Sequence, residues 1–318
     1  MNLDLLIENL TNPALLFFVL GIIAVYVRSD LEIPANSSKF ISLYLLFAIG
    51  FKGGQELSHE ALTAEILWSM AFGLAMAVVI PVYLFFILKQ KFKVADSGAI
   101  AAAYGSVSAV TFVTAATFLE MKGMALSGHM VAIMALMESP AIIAGLLLIS
   151  LFSQKEGTSG TKDVLRHSLT NGSVLLILGS LCIGYVASAE QAQGIKPFTT
   201  DLFKGFLAIF LLDMGITSGK KLSALFREGW FPFAFGIVMP LINGTAAAYL
   251  SNAVTDDVSC RFIFGVLAAS ASYIAVPAAM KIAAPQANPG LYLPMALGVT
   301  FPVNITIGMP LYFAAASL

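Results

Sequence analysis

The sequence has few charged residues. Lys, Arg, Asp and Glu account for 11% of its 318 residues, whereas soluble domains carry about 25%. The hydrophobic fraction is 58% and the formal net charge is −1, so the chain lacks the basic field that nucleic-acid binding requires. This composition predicts an integral membrane protein that contacts lipid and does not bind nucleic acid.

Residues that build active sites and cofactor sites are also scarce. The 2 cysteines are too few for a disulfide framework or a zinc site, and the 3 histidines lie far apart. The segment GITSGKK at 215–221 is one spacer residue short of a phosphate-binding loop and lacks the Ser or Thr that follows its Gly-Lys pair. We therefore predict that the protein is not an enzyme and holds no cofactor, and no motif supports ATP-driven pumping.

Long apolar segments recur along the whole chain, each near the length that crosses the roughly 30 Å hydrocarbon core of a bilayer. Ten are predicted, at 13–28, 39–54, 63–88, 97–120, 128–152, 170–188, 198–217, 227–252, 258–282 and 290–316. The most polar interruption, SQKEGTSGTKDVLRHS, divides them into five and five. The prediction is an all-α polytopic protein with a first five-helix half (1–152), a linker (153–168) and a second five-helix half (169–318).

The two halves share short matches at a nearly constant offset. AIGFKGG (48–54) lines up with DMGITSG (213–219), YGSVSAV (104–110) with AASASYI (268–274), and Pro140 with Pro302. Matches that keep the same order predict an internal repeat. Because each half has an odd number of spans, the second must enter the membrane from the opposite side, which is the inverted-repeat plan of secondary transporters.

Positively charged residues are distributed unequally between the two predicted sides. With the N-terminus outside, the inner segments hold 12 and the outer segments 5 of the 17 Lys and Arg residues. Inner loops of membrane proteins carry the excess of positive charge. We therefore predict a multi-pass protein of the cell (inner) membrane, with both termini outside and the linker in the cytoplasm.

Two predicted spans have small and hydroxyl-bearing residues at their centres, AYGSVSAVTF at 103–112 and AASASYIAVP at 268–277. Close packing of membrane helices is the competing explanation for each serine taken alone. The recurrence of the pattern, and Pro277, which suits the first turn of a restarting helix, indicate instead that both spans break there. Two half-helices then begin near the midplane with free N–H groups facing each other, which makes a site for a small anion without Arg or Lys.

A charged side chain within the hydrocarbon core of a membrane is energetically unfavourable. Acidic residues predicted there are therefore functional candidates by default. Glu138 lies beside Pro140, and the matching segment TFPVN contains Thr300 and Asn304. Bends at Pro free backbone carbonyl groups, and with these side-chain oxygens they suit a hard cation such as sodium. Asp213 is the other candidate, and its alternative role is to cap a helix or bond a neighbouring helix.

Several motifs in combination resemble those of the sodium-dependent bicarbonate transporter superfamily: AIGFKGG, YGSVSAVTFVTAATFLE, MESPAI, LAASASYIAVPAAM and ANPGLYLPMALGVTFPVNITIGMPLY. The resemblance extends from about residue 13 to residue 315. It implies ten transmembrane helices in two inverted five-helix repeats with two broken helices. It also implies a core domain that slides against a gate domain, a trimer, and sodium-driven bicarbonate uptake at the broken helices.

The resemblance further implies which residues contact the anion. One side consists of Gly105, Ser106, Ser108, Ala109 and Thr111, and the other of Ser270, Ser272 and Tyr273. The cyanobacterial importers of this family carry Asp where this chain has Tyr273, which affects sodium coordination there. Their cytoplasmic linker is also much longer than 153–168, which leaves a PII-like regulatory partner open.

The resulting expectation is a secondary transporter that imports bicarbonate or a similar small anion, with sodium as the coupling ion. One alternative keeps the architecture but couples a small carboxylate to protons through Glu138 or Asp213. Another is a passive anion channel or a membrane sensor. Sodium dependence of uptake at fixed pH separates the sodium-coupled transporter from the proton-coupled one. A channel would pass anions down their gradient regardless of sodium, and a sensor would bind the anion without flux.

Overall fold

The computed structural model describes residues 13–59, 63–153, 172–225, 229–273 and 275–318. Almost all of these residues are helical, and no strand occurs among them. The predicted linker lies outside the described residues except for Ser153. The helices in chain order are α1 (Pro13–Tyr26), α2 (Ala35–His59), α3 (Ala64–Leu88), α4 (Val94–Gly105), α5 (Ala109–Met121), α6 (Gly128–Phe152), α7 (Gly172–Val186), α8 (Ala189–Lys196), α9 (Phe203–Leu225), α10 (Trp230–Leu250), α11 (Val258–Ala269), α12 (Ala275–Ala283) and α13 (Pro289–Ala316).

Six helical segments are long and apolar enough to cross a membrane: Ala64–Leu88, Val94–Met121, Gly128–Phe152, Ala189–Lys220, Trp230–Ala253 and Pro289–Ala316. Two shorter apolar helices, Leu16–Tyr26 and Val258–Ala269, fall in further predicted spans. Every one of the ten predicted spans contains at least one helix. The chain is thus an all-helical membrane protein, while the full count of ten crossings remains a prediction.

Two of the helices depart from regular α-helical geometry. The seventh predicted span begins early, because α8 runs into a π-helical turn at Pro197–Asp201 that leads into α9. The last helix, α13, contains π-helical turns at Met295–Thr300 and Asn304–Gly308 on either side of Pro302. Such turns are frequent at functional sites because they displace backbone groups from the regular ladder.

Four helices form one packed group by crossing between the halves. The four-helix group pairs α1 with α9 and α2 with α7. Both crossings are very close: a Cβ placed on Gly215 would lie 3.1 Å from Cα of Gly21, and one placed on Gly184 would lie 3.1 Å from Cα of Phe51. Glycine is required at these points because any side chain would push the backbones apart.

Eight of the remaining nine described helices, all except α8, form a larger group, in which the two halves show the same neighbours. Helix α3 packs on α4 and α6, and α4 on α6. In the second half α10 packs on α11 and α13, and α11 on α13. The larger group (α3–α6 and α10–α13) buries most of the alanine-rich and phenylalanine-rich core, including Ala99, Phe112, Phe262 and Phe264.

Contacts of charged residues lie at the two ends of the helices, as expected if successive spans cross the membrane in alternating directions. Glu120 forms ion pairs with Lys52 at 3.0 Å and with Lys204 at 3.4 Å, and the predicted spans place all three residues near span ends on the outer side. At the other end, Asp96 Oδ1 accepts a hydrogen bond of 2.7 Å from the backbone N–H of Asn288. Each of these contacts joins residues predicted on the same side of the membrane. The assignment of that side as outside or inside rests on the charge distribution alone.

Candidate functional site

Both Ser-rich centres interrupt their helices. Helix α4 ends at Gly105 and α5 begins at Ala109, whereas α11 ends at Ala269 and α12 begins at Ala275. Ser106 and Ser270, the residues that end the first halves, have extended backbones with ψ of 174° and 162°. The breaks therefore lie where the sequence predicts them.

The two breaks contact each other directly. The N–H of Ser108 donates to Oγ of Ser270 at 3.1 Å, and the N–H of Ser272 donates to the carbonyl oxygen of Ala103 at 2.8 Å. All four predicted serines are buried, with exposed fractions of 0% for Ser106, 4% for Ser108, 1% for Ser270 and 2% for Ser272. The structure thus brings residues from the two halves into one buried site.

The restarting helices present backbone donors at this site. Oγ of Ser108 accepts from the N–H of Thr111 at 3.2 Å and caps α5, while Oγ of Ser272 accepts from Val276 at 3.5 Å. Within the described part of the chain, the N–H groups of Ala109, Val110 and Ala275 make no hydrogen bond. Free N–H groups at the positive ends of helix dipoles favour an anion.

Ser106 adds a hydroxyl to these donors. Its Oγ is buried and has no hydrogen-bond partner among the described residues. An unpartnered buried hydroxyl is costly in a protein interior. A bound anion at the break would supply the missing acceptor.

Gly105 and Tyr273 contribute differently from the serines. Gly105 lies against the ring of Pro81 on α3, where a Cβ would overlap the ring, so its role is close packing. The buried hydroxyl of Tyr273 approaches the Ser108 side chain without making a hydrogen bond of ordinary geometry. Tyr273 therefore closes one side of the site, and Gly105 sets the position of the end of α4.

The residues predicted to hold sodium are divided between two helices. On α13, Oγ1 of Thr300 donates to the carbonyl of Gly236 at 2.8 Å and is 2.6 Å from the Tyr104 hydroxyl. Nδ2 of Asn304 donates to the carbonyl of Ala269 at 2.8 Å. Both residues thus brace α13 against the ends of α4 and α11.

Glu138 stands apart from these two residues. It lies on α6, whose main neighbours are α2, α3 and α4, and no hydrogen bond joins it to Thr300 or Asn304. No group of three or more His, Cys, Asp or Glu residues that could hold a metal occurs among the described residues. A sodium site there would depend on backbone carbonyls and amide or hydroxyl oxygens.

Two tyrosines at the site were missed by the sequence reasoning. Tyr104 immediately precedes the first break, and its hydroxyl reaches Thr300. The hydroxyl of Tyr312 donates to Oδ1 of Asn304 at 2.7 Å. The only available signal was that Tyr104 stands inside the Ser-rich stretch, because its partner Thr300 is 196 positions away. Tyr312 is only 8 positions from Asn304, but no motif marked it.

A cavity of 510 Å³ reaches the site from one end of the molecule. It lies between α2 and α9, carries Lys39 and Lys220 in its lining, and extends to Tyr273. The break between α11 and α12 is thereby connected to the end of the protein that the charge distribution predicts to be cytoplasmic.

The sequence was compared with known families. Residues 13–317 match the model of the Na⁺-dependent bicarbonate transporter superfamily. The chain belongs to this superfamily. A search among curated proteins finds none that matches.

Membership in the Na⁺-dependent bicarbonate transporter superfamily accounts for the features of the site at a general level. The superfamily is one of transporters, which agrees with the expectation that the protein is not an enzyme. It supports transport of bicarbonate that depends on sodium, as a property of the superfamily.

Proposed function

We propose that this protein is a secondary active transporter that imports bicarbonate or a similar small anion, driven by a sodium gradient. The observation that carries the proposal is the pair of helix breaks, which face each other with three backbone N–H groups and the Ser106 hydroxyl unpartnered within the described chain. Such donors match the several oxygen atoms of bicarbonate and require no cationic side chain. Gly105, Ser106, Ser108, Ala109 and Thr111 form one side of the anion site, and Ser270, Ser272 and Tyr273 form the other.

The proposed architecture is two inverted five-helix repeats, 1–152 and 169–318, joined by a cytoplasmic linker at 153–168. Support comes from the matching neighbours in the two halves and from the reciprocal crossings of α1 with α9 and α2 with α7. The four-helix group corresponds to a gate and the larger group to a core that slides against it. Both termini are outside, and the functional unit is a homotrimer in the cell membrane.

Sodium is the proposed coupling ion, with Thr300 and Asn304 as candidate ligands on α13 and Glu138 as a separate candidate on α6. The π-helical turns around Pro302 support this assignment, because they displace carbonyl groups close to Thr300 and Asn304. Sodium prefers such oxygen ligands. Placing the cation near the helix breaks would also offset the charge of the anion.

The deciding experiment is uptake of labelled bicarbonate by purified protein in lipid vesicles. An inward sodium gradient at fixed pH should drive accumulation above equilibrium, whereas choline in place of sodium should abolish it. Accumulation driven by a proton gradient without sodium would favour the small-carboxylate alternative. Flux that only follows the anion gradient would identify a channel and reject active transport.

A further inference from the structure

Asp213 is a buried carboxylate that no cationic side chain of the described residues contacts. Its exposed fraction is 7%, and Oδ2 accepts a hydrogen bond from the hydroxyl of Ser38 on α2. No Lys, Arg or His of the described chain lies within ion-pair distance of it. Lys220 is two turns further along α9 and acts only at longer range. Charge buried in this way requires a compensating ion or a proton.

The cavity between α2 and α9 supplies further oxygen atoms around Asp213. Its lining includes the hydroxyls of Ser38, Ser42 and Thr217. Ser42 donates its hydrogen to the carbonyl of Ser38 at 2.9 Å, so its oxygen lone pairs remain available. Hydroxyl and carboxylate oxygens are the ligands that hard cations such as sodium take.

The distribution of charge along the cavity also favours a cation at Asp213. The other charged residues of its lining are Glu32, Lys39 and Lys220. Lys39 belongs to the first turns of α2 and Lys220 to the last turns of α9, whereas the carboxylate lies deeper in the protein. The negative charge of Asp213 also acts on the Tyr273 hydroxyl, so the carboxylate is close to the break between α11 and α12.

We propose that Asp213 and the Ser38 hydroxyl form a sodium site in this cavity, distinct from Glu138, Thr300 and Asn304. The inference rests on the proposed function in taking sodium as the coupling ion. Asp213 and Ser38 belong to the four-helix group, whereas Tyr273 belongs to the larger group. The site therefore lies where the two groups meet, on the path between the helix breaks and the predicted cytoplasmic side.

Sodium binding can be measured without transport, by thermal unfolding of the purified protein in detergent. Sodium chloride replaces choline chloride at constant ionic strength and fixed pH, because a ligand that binds the folded state raises the unfolding temperature. Wild type should be stabilised as sodium rises. Asp213→Asn should need at least about tenfold more sodium for the same effect, since the bound cation loses its charged ligand.

Two further variants make the result decisive. Ser38→Ala removes one neutral ligand and should raise the sodium concentration needed for the same stabilisation by about two- to twelvefold. This variant provides the test if Asp213→Asn fails to fold. Glu190→Gln is the matched control, because it neutralises an exposed carboxylate on α8 outside the cavity and should leave the sodium response unchanged. An unchanged sodium response in Asp213→Asn, or in Ser38→Ala when the first variant does not fold, would overturn the proposal.

The outcome is separable from that of the proposed function. A wild type that shows no sodium stabilisation but is stabilised by acid through Asp213 would also overturn the sodium site, because the carboxylate would then take a proton. Sodium stabilisation that depends on Asp213, found together with no sodium-driven bicarbonate uptake, would support the site and reject the transport proposal. Loss of sodium-driven uptake in Asp213→Asn alongside its weakened sodium response would support both.

Discussion

At the scale of single residues, the hydroxyls of three serines at the breaks form hydrogen bonds with backbone N–H groups. Ser108 and Ser272 accept hydrogen bonds from the first turns of their own helices, and Ser270 accepts one from the N–H of Ser108. Their hydroxyls therefore hold the breaks open and aligned. In the proposed site, the N–H groups at the starts of α5 and α12 and the Ser106 hydroxyl remain for the anion.

This division of roles predicts different effects for small and large substitutions. Ser108→Ala or Ser272→Ala removes one cap and should weaken anion affinity by at most about one order of magnitude, since an ordinary hydrogen bond contributes about 0.5–1.5 kcal/mol net. Ser108→Leu or Ser272→Leu fills the space between the breaks and should abolish transport by protein that still folds. Sodium-driven uptake divided by folded protein, measured by detergent chromatography, gives the comparison.

The control for added bulk is Ser69→Leu. Ser69 is fully buried in the unbroken helix α3. This variant should lower the yield of folded protein while the transport rate per folded molecule stays normal. If Ser108→Leu and Ser272→Leu behave like Ser69→Leu, the serines are packing residues and the anion site lies elsewhere.

Glu138 offers a second test at this scale. Within the described chain its carboxylate has no hydrogen bond or ion pair, so neutralising it removes no structural contact. Glu138→Gln should raise the sodium concentration for half-maximal uptake while bicarbonate affinity at saturating sodium changes little. Uptake assayed across a sodium series measures both, and a wild-type sodium dependence would remove Glu138 from the set of sodium ligands.

At the scale of helices, local composition predicted the breaks but not their contacts. Gly, Ser and Pro in the centres of two spans are local signals, so the ends of α4 and α11 could be located from sequence. The hydrogen bonds of Thr300 and Asn304 to Tyr104 and Ala269 join residues 196 and 35 positions apart. No local pattern encodes such pairs, which is why these two residues were considered as sodium ligands and not also as braces for α13.

One ion-pair cluster joins helices of the two groups at a single end. Glu120 on α5 pairs with Lys52 on α2 and Lys204 on α9, whereas at the opposite end a cavity lies between the same two helices. Glu120→Gln should shift the population away from this state, by at most about fivefold per pair, because exposed ion pairs contribute roughly 0.2–1 kcal/mol. The readout is the labelling rate of Ser42→Cys, which lines the cavity, in protein lacking Cys182 and Cys260.

Labelling of Ser42→Cys should slow a few fold in Glu120→Gln as the cavity closes. Glu190→Gln is the matched control, because Glu190 is exposed on α8 and makes no ion pair within the described residues. High salt should mimic Glu120→Gln in the wild-type background, since it screens exposed pairs. Equal labelling rates in both variants would show that the cluster does not bias the two states.

At the scale of the whole molecule, sequence predicted the order of the helices better than their partners. Hydropathy located a helix in every predicted span, because each span must be apolar by itself. The pairing of α1 with α9 depends on Gly21 meeting Gly215, which are distant in sequence and individually unremarkable. The assembly of the four-helix group was accordingly not predicted.

Orientation is a property of the whole molecule that can be tested directly. Ser29 and Glu190 are exposed at opposite predicted sides, the first inside and the second outside. In a background lacking Cys182 and Cys260, an impermeant thiol reagent should label Glu190→Cys on intact cells and Ser29→Cys only after permeabilisation. The reverse pattern would invert the topology and place the cavity with Lys39 and Lys220 on the external side.

The reciprocal crossings have a consequence for biosynthesis. Translation from Tyr26 to the start of α9 at Phe203 takes roughly 10–35 s at typical elongation rates, and α1 enters the bilayer long before its main partner exists. During this interval the face of α1 around Gly21 must be covered by lipid or by an insertion factor. Helix α2 is likewise synthesised before α7, the helix against which it packs. The two halves can therefore dock only after α7 and α9 have been made, and an arrest of translation before α7 would leave both α1 and α2 inserted without their partners.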